Sequence, residues 1–239
     1  MTDEIFSRDA YQPSTDAIVV GVSEAGVVLD RTVFYPRGGG QPGDTGTLRW
    51  DGGQARVADT VKAGGDVLHV LEPGSTPPPH GTGVNAEIDW GRRHTLMRTH
   101  TALHALSGIV FTDYGAKVTG GNMEAGVARM DFELDGISQE FGREVEAKLN
   151  TALQRDHPVH VSFLPRAEAL TDPDLIRTKV SLISEHVDPI RVIDIEGLDK
   201  QADGGTHVRS TSEVGVVRVV KTESKGKANK RMRIELVDP

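Results

Sequence analysis

Short apolar runs, separated at close intervals by glycine and aspartate, characterise the first part of the chain. The strand-like runs occupy residues 17–22, 27–30, 31–35 and 66–71. None of them has the 3.6-residue period of an amphipathic helix. A proline- and glycine-rich segment at residues 72–81 is expected to be a loop. This pattern predicts a small β-barrel domain over residues 1–88.

The second part, residues 89–239, has longer elements. Leucine, methionine and histidine recur on neighbouring faces over residues 90–110, which predicts a helix. A second helix is predicted to begin after Ser138 as its N-cap and to end before Pro158. Strands are predicted at residues 127–132, 159–164, 191–195, 214–222 and 231–237. Helices packed on an antiparallel sheet make this part an α+β domain.

The composition fits a folded, soluble protein. Of 239 residues, 37% are hydrophobic and 26% are charged, which argues against a disordered chain. No apolar run approaches the ~20 residues needed to cross a bilayer. The chain begins with acidic residues, unlike a secretory signal. We therefore expect a cytoplasmic protein without a membrane partner.

Charge is distributed unevenly along the chain. The formal net charge is −8, which taken alone disfavours a nucleic-acid partner. Residues 1–90 carry most of the excess, with 6 Lys+Arg against 13 Asp+Glu. Residues 218–233 are basic, with Glu223 as their one acidic residue. This segment is either a solvated strand pair or a surface that meets phosphates.

Two histidines four residues apart are the most informative chemical feature. His100 and His104 fall on one face of the predicted helix and can grip one ion. Between Asp203 and His207 lie two glycines, Gly204 and Gly205, which permit a tight turn that can direct both side chains to one point. A bare histidine pair is more often structural than metal-binding. Thr101 stands where a metalloprotease helix carries its glutamate, so that class is excluded.

Three motifs together resemble one protein family. They are FYPRGGGQPGDTG at residues 34–46, HTALH at residues 100–104 and QADGGTHV at residues 201–208. In this order they resemble the alanyl-tRNA editing hydrolases, the freestanding relatives of the editing domain of alanyl-tRNA synthetase. The resemblance implies a small β-barrel followed by a two-layer α+β editing domain of the threonyl- and alanyl-tRNA synthetase type. It also implies trans-editing: hydrolysis of the ester that joins serine or glycine to alanine tRNA.

The resemblance also implies a zinc site. The family's zinc ligands correspond to His100, His104 and His207 in this sequence. Where many relatives have cysteine, this chain has Asp203, and it has no cysteine anywhere. Aspartate binds zinc through oxygen, so Asp203 is expected either to complete the site or to stand behind a water in the fourth position. The carboxylate makes the identity of the metal less certain than a thiolate would.

Further site residues follow from the same resemblance. Thr119 corresponds to the threonine that selects serine through its hydroxyl, although it would otherwise be an ordinary turn residue. Gly39, Gly40 and Gln41 correspond to a loop that affects substrate choice, although bare glycines are usually a hairpin tip.

Basic residues are expected to contact the tRNA backbone. Arg92 and Arg93, at the start of the predicted helix, are expected to contact tRNA phosphates together with Arg98 and the basic C-terminal segment.

Two other functions stay open at this point. The chain is either a zinc-dependent hydrolase of another small ester or amide, or a non-catalytic tRNA-binding module with a structural metal. A catalytic zinc site keeps an open coordination position and a structural one does not. The role of Asp203 therefore bears directly on the choice.

Overall fold

The computed structural model describes residues 1–172, 175 and 187–237. The chain divides into two compact units, Met1–Thr95 and Leu96–Pro239. The division falls inside the first α-helix, a few residues after the boundary predicted at residue 88.

The first unit is built on a closed antiparallel β-barrel, as predicted. Its strands are β1 Asp3–Glu4, β2 Ser14–Ser23, β3 Gly26–Leu29, β4 Arg31–Thr32, β5 Gly46–Trp50, β6 Gly53–Ala63, β7 Asp66–Leu71 and β8 Gly83–Ile88. Six of them close the barrel in the order β2-β3-β7-β6-β5-β8, and β1 pairs with β4 beside it. The sequence pattern did not reveal β5, β6 and β8, because they carry too many polar and small residues.

Aliphatic side chains and one neutral histidine form the interior of the barrel. Val19, Leu29 and Leu48 are among its fully buried residues. His69 is buried beside them, with Nε2 2.8 Å from Thr32 Oγ1 and Nδ1 3.0 Å from the Val27 carbonyl. Burial lowers the pKa of His69 to about 4, so the ring is neutral at physiological pH.

A buried ion pair anchors the start of the first helix to the first unit. The guanidinium of Arg93 is paired with Asp44, and neither side chain is appreciably exposed. Arg93 also donates to the carbonyls of Val33 at 2.7 Å and Ala10 at 2.9 Å. Asp44 accepts a further hydrogen bond from the Tyr35 amide. The prediction that Arg93 contacts tRNA phosphates is therefore wrong, because its guanidinium is buried and paired with Asp44.

In its described residues, the second unit is an α+β domain with two antiparallel sheets. Its helices are α1 Trp90–Tyr114, which begins in the first unit, α2 Gln139–Leu153 and the short α3 Arg166–Ala169. Its strands are β9 Val118–Glu124, β10 Val127–Phe132, β11 Val159–Leu164, β12 Ile190–Ile195, β13 Asp199–Ala202, β14 Val216–Ser224 and β15 Lys230–Val237. They form a four-stranded sheet, β14-β15-β10-β9, and a three-stranded sheet, β11-β12-β13.

Helix α2 covers the edge of the four-stranded sheet. It begins as predicted at Ser138, whose hydroxyl accepts from the Phe141 amide. The Asn150 side chain bonds both the amide and the carbonyl of Val217 on β14, at 2.9 Å and 2.7 Å. The Glu146 carboxylate accepts a hydrogen bond from the Val219 amide, two residues further along the same strand. These side chains satisfy groups that an open strand edge would otherwise expose.

No helix within the described ranges combines the length and the hydropathy needed to span a membrane.

The buried pair gives a stability prediction. Arg93→Met should lower the free energy of unfolding by about 3–5 kcal/mol, because it leaves the Asp44 carboxylate buried without its counter-charge. Arg49→Met is the matched control, since Arg49 pairs with Glu87 at the surface, where such pairs contribute about 0–1 kcal/mol. Chemical denaturation followed by circular dichroism measures both. Equal effects of the two substitutions would contradict a structural role for Arg93.

Candidate metal centre

Four predicted side chains converge in the second unit. His100 and His104 project from α1, and Asp203 and His207 come from the segment that follows β13. One ligand atom from each residue can be chosen so that all lie within 4.8 Å of one another. The ring centroids are 5.1 Å apart for His100 and His104, 4.4 Å for His100 and His207, and 4.6 Å for His104 and His207. The three imidazoles are buried, and the carboxylate is partly exposed.

A carboxylate fixes the orientation of His104. Its Nδ1 lies 3.0 Å from Asp199 Oδ2, and the same oxygen accepts from Gln201 Nε2 at 2.8 Å. The close approach depends on Gly108, one helical turn after His104. A Cβ at Gly108 would lie 2.4 Å from the Leu198 carbonyl oxygen. With Nδ1 held in this way, Nε2 of His104 is left for the centre.

A hydroxyl fixes the orientation of His207. Thr101 Oγ1 lies 3.1 Å from His207 Nδ1 and accepts from the Val208 amide at 3.3 Å. Thr101 is fully buried on α1, between the two helical histidines in sequence. This contact leaves His207 Nε2 directed at Asp203 Oδ2, 3.2 Å away.

Hydrogen bonds from a backbone amide and from Arg191 hold the turn that carries Asp203. The Gly205 amide donates to Asp203 Oδ2 at 2.5 Å. The buried Arg191 on β12 donates to the carbonyls of Asp203 at 2.9 Å and Gly205 at 2.8 Å. The other carboxylate oxygen, Oδ1, lies 3.8 Å from His100 Nε2. Both oxygens of Asp203 therefore face imidazole nitrogens.

The protonation states of the cluster suit a cation. Burial lowers the pKa of His100 to about 4. Burial, together with the charge of His100, lowers the pKa of His207 well below its usual value. For His104, burial alone would lower the pKa, but the hydrogen bond to Asp199 and the negative charges of Asp199 and Asp203 together raise it. For Asp203, burial is outweighed by the neighbouring histidines, and the pKa is lowered well below its usual value. The neutral imidazoles of His100 and His207 and the ionised carboxylate of Asp203 are the forms that bind a cation.

The donor set fits a tetrahedral divalent cation. Ligands at ~2.1 Å in a tetrahedron lie about 3.4 Å from one another. The carboxylate of Asp203 lies 3.2 Å from His207 Nε2 and 3.8 Å from His100 Nε2, on either side of this value, and all four donors lie within 4.8 Å of one another. Three imidazoles and one carboxylate are a ligand combination that zinc accepts without thiolate.

The Gly-rich segment of the first unit is a tight turn. Gly39 and Gly40 have φ values of 57° and 86°, which strongly favour glycine. The turn is closed in both directions by the amides and carbonyls of Gly38 and Gln41, at 2.9 Å and 3.1 Å. Gln41 is itself buried. Arg92, which is half-buried, donates to the Gly43 carbonyl at 2.8 Å.

Thr119 lies in a strand and not in a turn. It is the second residue of β9, its side chain is exposed, and its hydroxyl donates to Asn229 Oδ1 at 3.1 Å. Its hydroxyl oxygen can also accept a hydrogen bond from a hydroxyl group of a ligand.

The basic C-terminal segment is largely compensated by acidic neighbours. Arg231 pairs with Asp131 at 2.7 Å, and Arg233 pairs with Glu223 at 2.7 Å. Arg233 and Lys221 together lower the pKa of Glu223 to about 2. Lys225 and Lys227, both exposed, lie in the turn between β14 and β15. The segment is thus a less concentrated positive surface than its sequence indicates.

The supporting residues of the centre are those that sequence reasoning missed. Asp199, Thr101 and Arg191 each contact a metal-ligand candidate or its turn from elsewhere in the fold. Asp199 lies four residues before Asp203, a spacing that carries no signal in a strand. Its role is seen only in the structure, where Asp199 of β13 contacts His104 of α1.

Comparison with known proteins agrees with the architecture. Residues 7–92 match the family of class II (A) tRNA synthetases. Residues 190–233 match the second additional domain of threonyl and alanyl tRNA synthetases.

Full-length relatives are more specific. The chain is 35% identical over 245 residues to the alanyl-tRNA editing protein AlaX-M of Methanosarcina acetivorans, with 100% of both chains covered. It is 36% identical to the protein of the same name from Methanosarcina barkeri, again over 100% of both chains. It is 37% identical to the alanine–tRNA ligase of Pyrobaculum neutrophilum, over 93% of this chain but 25% of the ligase. The chain therefore belongs to the family of alanyl-tRNA editing proteins.

Proposed function

We propose that this protein is a trans-editing deacylase that removes serine or glycine from mischarged alanine tRNA in the cytoplasm. A zinc ion would be held by His100, His104, His207 and Asp203. The observation that carries the proposal is the convergence of these four donors within 4.8 Å in a chain that matches an alanyl-tRNA editing protein over 100% of both sequences. The ion, when bound, would act as a Lewis acid toward the aminoacyl ester.

The protein's own residues would prepare the centre before the substrate arrives. Asp199 and Thr101 fix two imidazoles in the orientation that presents Nε2. Asp203 contributes a negative charge that lowers the net charge of a bound dication. The Gly205 amide and Arg191 keep that carboxylate in place. Little rearrangement of side chains is then needed when substrate binds.

An editing activity answers a known limit of amino-acid selection. A pocket that accepts alanine rejects a residue with an added hydroxyl or a missing methyl by only about 10²-fold. A second site that hydrolyses the wrong ester corrects the remainder. We propose that Thr119 accepts a hydrogen bond from the serine hydroxyl, which alanine lacks. Gly39, Gly40, Gln41 and Arg92 are proposed substrate contacts, and the exposed turn at Lys225 and Lys227 is a proposed phosphate contact.

Removing one histidine tests the metal and the activity together. His104→Ala should lose bound zinc and the deacylation of seryl-tRNA, by more than the ~10–100-fold that loss of an outer partner typically causes. His160→Ala is the matched control, because His160 is an exposed histidine paired with Glu196. Metal content is measured by mass spectrometry and deacylation with labelled serine. A zinc-free variant with full activity would contradict a catalytic metal. Zinc bound to a wild-type protein that cannot deacylate would favour a structural site.

Replacing the carboxylate tests whether Asp203 is a direct ligand. We expect Asp203→Cys to keep the ion, and its Co²⁺ form should show a thiolate-to-cobalt absorption band in the near ultraviolet. The chain contains no cysteine, so any such band reports position 203 alone. Asp203→Ala should weaken metal binding more than Asp199→Ala does. Absence of the band, with Co²⁺ bound, would place residue 203 behind the ligand shell.

Replacing the hydroxyl tests substrate selection. Thr119→Val should lower kcat/KM for seryl-tRNA by about 2- to 12-fold, the value of one ordinary hydrogen bond. Turnover of glycyl-tRNA should be unchanged, because glycine offers no side-chain hydroxyl. Thr151→Val, at an exposed threonine of α2, is the control. A parallel loss on both substrates would show that Thr119 does not act through the serine side chain.

A further inference from the structure

Val161 and Phe163 of the edge strand β11 form an exposed apolar shelf on one face of the three-stranded sheet. Val161 pairs with Ile193, and Ile193 pairs with Gln201, so these three residues share one face of the sheet. Gln201 contacts Ser107 on α1 and Asp199 beside the metal ligands. The face that carries Val161 is therefore the face turned toward the centre.

Phe163 lies in the next row of the same face. It pairs with Arg191 on β12. The Arg191 carbonyl accepts from the Asp203 amide at 3.1 Å, which extends the row to the metal-ligand candidate. Neighbouring strands lie ~4.8 Å apart, so the backbone of Phe163 is about 10 Å from that of Asp203.

The shelf is open although the sheet beside it is covered. Val161 and Phe163 are each 41% exposed, whereas their partners Ile193 and Arg191 are 0% and 9% exposed. Among the described residues, β11 is the edge strand of this sheet, and no further strand of the sheet lies beyond the shelf. An aromatic ring and an aliphatic side chain are thus presented to solvent on a strand whose backbone lies two strand spacings, about 10 Å, from that of Asp203.

We propose that Phe163 is a substrate-binding residue that stacks on the adenine of the terminal nucleoside of tRNA, with Val161 contacting the same base. This inference rests on the proposed function. The scissile ester is on the ribose of that nucleoside, so its base must lie one sugar away from the metal. A planar, weakly charged base suits an apolar shelf, and stacking on an aromatic side chain does not require a specific sequence. The contact would orient the ester without touching the amino acid.

The test compares two truncations, one on each side of the contact. Binding of uncharged alanine tRNA is measured with its terminal adenosine and after that adenosine has been removed. Wild-type protein should bind the truncated tRNA about 5- to 150-fold more weakly, the range for loss of one base–aromatic stack. Phe163→Ala should show a similar loss with intact tRNA and little further loss with the truncated one. Phe163→Tyr should restore the difference.

Controls separate this inference from the proposed function and from misfolding. Val127→Ala removes an equally accessible apolar side chain, 50% exposed, from the other sheet and should leave binding unchanged. In deacylation, Phe163→Ala should raise KM for seryl-tRNA while metal content and cleavage of serine methyl ester stay unchanged. Binding that depends on the adenosine equally in wild type and Phe163→Ala would overturn the inference. The inference would also be overturned if the wild-type protein were a dimer and Phe163→Ala made it a monomer, because Phe163 would then lie between two subunits. Failure of the wild type to deacylate would instead refute the proposed function, and the binding comparison does not depend on it.

Discussion

The close packing of α1 against the turn before β13 is the constraint on which the centre depends. The two helical histidines and the two later donors are about a hundred residues apart in sequence, and only this packing brings them together. Gly108 permits it, since any side chain there would collide with the Leu198 carbonyl. The contact between His104 and Asp199 then serves two purposes. It orients a candidate ligand, and it joins helix to sheet through a buried, charge-assisted hydrogen bond.

The three-stranded sheet extends this order outward from the centre. Because paired residues share a face, the position of one side chain on β13 determines which residues of β12 and β11 lie beside it. Arg191 occupies the middle of the row that ends at Asp203, where it holds the turn by two carbonyls. The same row continues to the exposed ring of Phe163. Rigid secondary structure thus supports both the buried polar centre and the apolar surface next to it.

Much of the fold was predictable where apolar positions were regular. The aliphatic runs of β2, β3 and β7, the N-cap at Ser138 and the helical histidine pair all gave local signals. β6 gave none, because its buried residues are Ala55, Val57 and Thr60, and a bulge between Val57 and Asp59 interrupts the alternation. Asp199 and Arg191 were not predictable, since their roles depend on contacts with segments distant in sequence. Arg93 was misassigned for the same reason: a basic residue near a helix start looks the same whether it faces solvent or a buried Asp44.

The carboxylate at position 203 has a consequence for the conditions in which the centre can persist. A thiolate there would be open to sulfenic acid formation, disulfide exchange and over-oxidation. Imidazole and carboxylate donors undergo none of these reactions, and the rest of the chain offers no thiol partner. The proposed ligand set is therefore insensitive to the cellular thiol balance. Its vulnerability lies in acid instead, where protons compete for the same nitrogen and oxygen atoms.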